Sequence, residues 1–118
     1  MKQILRKEIW LLQYNISICE KTILNQRLKL AWHLERLDNI EYVKDKFSKK
    51  RDELQENHEI LVTINNILED LHRDFKKLEL TVITTQTAIQ CQKDQMYIYN
   101  KRLKNFKQII GENKDEGC

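Results

Sequence analysis

Every seventh residue from Ile40 onward is apolar: Ile40, Phe47, Leu54, Leu61, Leu68, Phe75, Val82, Ile89, Met96, Leu103 and Ile110. Seven residues are close to two turns of α-helix, so such a column draws one apolar ridge along a helix and must be covered by a neighbouring helix. A second column follows three residues behind, with Ile64, Leu71 and Leu78 as its apolar centre. Lys50, Asn57, Thr85 and Gln92 interrupt that column. Polar seam positions weaken a coiled coil but favour the one alignment that satisfies them.

Nothing in the composition forces the ridge to stop. The 118 residues contain no proline and two glycines, Gly111 and Gly117, both near the C-terminus. Charged residues make up 33% and apolar ones 41%, which suits long helices packed side by side better than a single globular core. The expected fold is all-α: a long-helix coiled coil, either one extended rod of about 160 Å or two long helical segments.

A separate seam runs through the N-terminal part. Ile9, Ile16, Ile23, Leu30 and Leu37 form one column, and Leu12, Cys19, Gln26, His33 and Ile40 the other. Continued past Leu37, the first column meets Lys44, Arg51, His58, Asn65 and His72. The apolar stripe therefore shifts by three residues between 37 and 43, as in a stammer or a break. Asp38-Asn39 lies there, and both residue types favour turns and caps. The expected organisation is an N-terminal helical segment over 1–37, a main coiled-coil helix over 40–110, and a flexible tail over 111–118.

Flanking charges bear on the partner. A parallel, in-register homodimer would oppose Lys46 to Arg51, Glu53 to His58, Asp74 to Glu79 and Arg102 to Lys107, and all but the second repel. A different partner chain, antiparallel self-association or an intramolecular hairpin is expected instead. Ile60, Val62, Ile67, Leu80 and Ile83 widen the apolar surface beside the columns, so residues 60–83 should meet more than one neighbour. The residues assigned to the partner interface are the eleven of the main column together with Ile64, Leu71 and Leu78.

No catalytic or metal constellation can be assembled. His58 and His72 share a helix face but stand about 21 Å apart along a helix, too far for one metal ion. Cys19, Cys91 and Cys118 form neither a ligand pair nor a disulfide framework, which points to a reducing compartment. His33 and Cys19 read as seam residues and Cys91 as exposed. Trp10, Trp32 and Tyr97 fall beside the seams, whereas Tyr99 and Phe106 fall within one. No cofactor, small-molecule substrate or enzymatic activity is expected.

The net charge of +3 is modest. The densest basic run, Lys44, Lys46, Lys49, Lys50 and Arg51, is diluted by Asp45 and Asp52 and reads as a solvated helix face rather than a nucleic-acid stripe. Arg6, Lys7 and Glu8 interrupt any signal-peptide core, and no apolar run could span a bilayer, so an intracellular, soluble protein is expected.

Leu28-Lys29-Leu30-Ala31, then Leu34-Glu35, then Ile40-Glu41-Tyr42-Val43-Lys44-Asp45, resembles the tektin stretch in which a long helix ends, a short break follows and a new helix begins. Leu68-Glu69-Asp70-Leu71 is similar to a later tektin segment. The tektin nonapeptide RPNVELCRD is absent, and the spacing after Ala31 differs by one residue. The resemblance implies a filament component of ciliary or flagellar microtubules. From the residues alone, the reading is a structural coiled-coil subunit or scaffold of a larger, cytoskeletal assembly. Alternatives are a helical tethering subunit of a vesicle-trafficking or kinetochore complex, and a basic-helix binder of nucleic acid or membrane centred on 44–51.

Overall fold

The computed structural model describes residues 1–54 and 56–116, with side chains as far as Gly111. Two α-helices account for nearly all of them: α1, Lys2–Glu53, and α2, His58–Glu116, packed as a hairpin. Their lengths follow from the absence of helix breakers and from abundant Leu, Lys, Glu and Gln, all strong helix formers.

The reversal falls at residues 54–57, where neither glycine nor proline stands. Leu54 N–H bonds to the Lys50 carbonyl at 3.0 Å and ends α1, and Asn57 N–H bonds to the Leu54 carbonyl at 3.1 Å. Asn57 then caps α2: its Oδ1 accepts from Ile60 N–H at 3.3 Å and its carbonyl accepts from Leu61 N–H at 3.0 Å. Lys50 and Arg51 in the last turn of α1, and Glu59 in the first turn of α2, have the signs that the helix dipoles favour.

This placement corrects two expectations. The chain does not break between 37 and 43, because α1 passes through that stretch without interruption. Nor is 40–110 one helix: Ile40 and Phe47 belong to α1, Leu54 to the turn, and the rest of the column to α2. Phe47 and Leu61 are fourteen residues apart, two full heptads, so the turn preserved the count. Leu54 happened to fill the intervening position, and the column looked continuous. The apparent shift of the N-terminal seam is a change of chemistry rather than of helical phase. Lys44 and Arg51 remain half-buried in the column that Ile9 begins, their aliphatic stems covering apolar surface. The break implied by the tektin resemblance is likewise not found at that position, since Leu28 to Asp45 is continuous helix.

The described residues divide into two units, Met1–Arg27 with Thr87–Cys118, and Leu28–Gln86. In the first unit Leu12, Cys19, Ile23 and Ile89 are buried. In the second, Ile64, Leu78, Val82 and Thr85 are buried; the Thr85 hydroxyl donates to the Thr81 carbonyl at 2.8 Å, which satisfies it within its own helix. Among the described residues no large side chain is fully sequestered from solvent. Two helices present only one side each to the other, so water reaches the edge of nearly every seam residue. Of the tail expected over 111–118, residues 111–116 continue α2. Gly117 and Cys118, and the side chains from residue 112 on, lie outside the described residues.

Candidate protein-interaction surface

The residues assigned to a partner interface are turned inward. Ile64, Leu78, Val82 and Ile89 are buried, and Ile40, Phe47, Leu61, Leu68, Leu71, Phe75, Met96, Leu103 and Ile110 are half-buried. Leu54, in the turn, stays 38% exposed. The partner that this seam demanded is the other helix of the same chain. The intramolecular hairpin expected among the alternatives is therefore the arrangement found.

What remains for another molecule lies on the outer sides. In the first unit, α1 exposes Ile4, Trp10, Leu11, Tyr14, Ile18 and Leu24. Ile4, Leu11 and Ile18 are themselves seven residues apart and form a third heptad column, directed away from α2. Trp10 and Tyr14, one turn apart, stack with ring centroids at 5.6 Å and planes within 7°. Sequence reading placed Trp10 beside the seam but passed over the Ile4 column. Its signal was the same seven-residue spacing that revealed the main seam.

Across the first unit, a groove of about 610 Å³ opens between the helices. Half-buried or buried Ile23 and Met96 form its floor, with Leu24 and Tyr97 as walls and Glu20, Arg27, Lys93 and Asn100 along the rim. Further along α2, Asn100 also borders a depression with Leu103, Lys104 and Lys107. Tyr97 was expected beside the seam, whereas Leu24 and these cations were not singled out from sequence, because a groove needs the register between two helices.

The second unit offers a different surface. Trp32 is exposed, but the Arg36 guanidinium lies 4.7 Å from its ring centroid. Tyr42 is covered in the same way by the Lys46 ammonium at 4.6 Å. Of two grooves near the turn, one is polar, lined by Lys44, Ser48, Arg51, Asn65, Leu68, Glu69 and His72, and the other is mostly apolar, with Phe47, Ile60, Ile64 and Ile67 beside Glu59 and Thr63. Within the polar one Lys44 Nζ donates to His72 Nδ1 at 3.4 Å and stands 5.1 Å above the Phe75 ring. The basic run 44–51 is thus divided, with Lys44 and Arg51 on the covered side and Lys46, Lys49 and Lys50 exposed. Of the residues expected to widen the apolar surface, Ile60, Val62, Leu80 and Ile83 are exposed and Ile67 is half-buried.

Among the cysteines, Cys19 is buried in the seam and Cys91 exposed, as expected, whereas Cys118 lies outside the described residues. His33 sits on the seam beside Trp32, with ring centroids at 5.2 Å, and its Nδ1 is buried with no hydrogen-bond partner. Among the described residues no group of His, Cys, Asp or Glu is placed to hold a metal ion, and no helix is long and apolar enough to cross a membrane.

Comparison with known proteins gives no match to a family model, a curated protein or a solved structure. The chain is a helical hairpin with exposed apolar residues, consistent with a structural or interaction role.

Proposed function

We propose that this chain is a structural interaction protein, a helical subunit or scaffold of a larger cytoskeletal assembly that acts by binding other protein helices and not by catalysis. The observation that carries the reading is the outward side of α1 in the first unit, where six large apolar residues stay exposed after α2 has covered the seam. From the usual area of such side chains, they leave on the order of 600 Å² open to solvent, against about 800 Å² per partner in a standard protein interface. An exposed apolar surface of that size lies at the upper end of what a monomer presents, and it supports a site of association. The tektin resemblance suggests a ciliary or flagellar microtubule as the setting.

Chemical crosslinking of the tagged chain in its native cells, read by mass spectrometry, tests this. Links should run from residues 1–27 to helical segments of other proteins. Replacing Leu11 and Ile18 with aspartate should remove them while circular dichroism stays unchanged. Recovery of the unsubstituted chain as a monomer with internal links alone would overturn the proposal.

A further inference from the structure

The groove of the first unit has a definite chemistry, and it identifies the kind of helix it can hold. Its floor is apolar, with Ile23 and Met96, and the neighbouring depression, which shares Asn100 with it, adds Leu103. Leu24 and Tyr97 stand up on either side, 58% and 67% exposed. Along the groove and this depression the charges are one-sided: Arg27, Lys93, Lys104 and Lys107 against Glu20.

The lining residues fall into stripes. On α2, Lys93, Tyr97, Asn100, Lys104 and Lys107 follow one another at alternating steps of four and three, so they share one helix edge. On α1, Glu20, Leu24 and Arg27 do the same, and the stripe continues back to Trp10 through Ser17 and Gln13. The hairpin sets the exposed Trp10 toward the end of the groove that Lys104 and Lys107 occupy. From Lys93 to Lys107 the edge is about 21 Å long, four helical turns.

We propose that this groove seats an amphipathic helix of about four turns from another protein, with its apolar ridge between Leu24 and Tyr97 and its flanks acidic. The proposal rests on the interaction role proposed above and specifies the partner. Apolar contact with Ile23 and Met96 supplies the attraction, and carboxylates facing Arg27, Lys93, Lys104 and Lys107 select the partner and its placement.

Two other occupants fit less well. A second copy docking through the same unit would present the wrong sign, because residues 1–27 and 87–118 carry eleven Lys and Arg against six Asp and Glu, and residues 28–86 are nearly balanced, with ten against twelve. In particular, the Ile4–Leu11–Ile18 column is flanked by Lys7 and Lys21 against the single carboxylate Glu8. An anionic membrane matches the charge but not the shape, since a flat lipid surface cannot reach a floor recessed between two helices.

The test uses the full chain and two fluorescein-labelled helical peptides with identical leucine ridges, one flanked by glutamate and the other by lysine. Fluorescence anisotropy at low ionic strength should show the glutamate peptide binding at least about tenfold more tightly, a difference of roughly 1.4 kcal/mol. Added salt should narrow that difference. The triple variant Lys93→Glu, Lys104→Glu, Lys107→Glu, all at the exposed edge, should reverse the preference with helicity unchanged by circular dichroism. Leu24→Asp should abolish binding of both peptides.

Equal binding of the two peptides, binding of neither, or a preference that survives the triple reversal would overturn the proposal. So would a concentration-dependent dimer in sedimentation that the triple reversal dissolves, or binding to phosphatidylserine vesicles that exceeds binding to the glutamate peptide. Failure here alongside intact crosslinks from residues 1–27 in cells would remove the acidic helix and leave the interaction role standing.

Discussion

Trp10 and Trp32 sit on the same helix with similar exposure, 61% and 55%, in different company. Trp10 stacks on Tyr14 among Leu11, Ile18 and Leu24, whereas Trp32 lies under the Arg36 guanidinium, as Tyr42 lies under the Lys46 ammonium. The contrast extends to the two units that hold them. The first carries an excess of five positive charges, from eleven cations and six anions, and an apolar groove. The second carries ten cations and twelve anions and a polar groove in which Lys44 meets His72. A hairpin of nearly uniform backbone can thus leave its exposed aromatics among apolar neighbours in one unit and beneath its own cations in the other, although the second unit also exposes Leu28, Leu34, Leu80 and Ile83.

The largest expected effect tests whether the units are also separate in stability. Ile23, at 7% exposure, holds the seam of the first unit, and Val82, also at 7%, that of the second. A buried aspartate at either position loses apolar packing and places a carboxylate out of water, together costing about 3–5 kcal/mol. In hydrogen exchange, Ile23→Asp should raise the rates over 1–27 and 87–111 and leave 58–75 protected, whereas Val82→Asp should do the reverse. Equal acceleration of both units by either variant would dissolve the distinction and make the hairpin one cooperative element.

A smaller effect of opposite sign is expected at His33. Its buried Nδ1 has no partner, and an unsatisfied buried polar atom costs about 1–3 kcal/mol. His33→Leu keeps the ring's place in the seam filled and removes that cost. The thermal midpoint should rise, with a gain of about 1–2 kcal/mol in urea titration. A lowered midpoint would show that His33 is held by an interaction its surroundings do not reveal.

The heptad columns made the helices legible, but they left the turn hidden. Leu61 to Ile110 and Ile64 to Phe106 do form the covered side of α2, and Leu12 to Phe47 that of α1, because burial of a ridge is written directly in its period. Asp38-Asn39 looked like the turn because both residues can cap a helix, yet α1 runs through them. Asn57, read only as a polar seam residue, does the capping. A short turn with no glycine or proline leaves little compositional trace, and Leu54 extended the column across it. The candidate interaction surface was half legible. The Ile4, Leu11 and Ile18 column is a period and could have been counted, whereas the Leu24–Tyr97 groove depends on how one helix sits against the other. No local pattern encodes that.

The smallest effect concerns the cations that cover the second unit's aromatics. Arg36 reaches Trp32 from the next helical turn and is exposed, so its cation–π contact should contribute about 0.5–1 kcal/mol. Arg36→Met keeps the helical propensity and much of the side-chain length but removes the charge. Stability should fall by no more than that amount, which alone would say little about function. Accessibility is the sharper readout. With Trp10→Phe in place, all tryptophan emission comes from Trp32. Arg36→Met should then raise its quenching by acrylamide toward that of Trp10 measured in a Trp32→Phe background. If association follows exposed aromatic surface, the same variant should also bring crosslinks to 28–53 beyond those of the unsubstituted chain. Quenching that rises without new crosslinks would mean that the outward column of Ile4, Leu11 and Ile18, and not an open tryptophan ring, sets where the chain adheres.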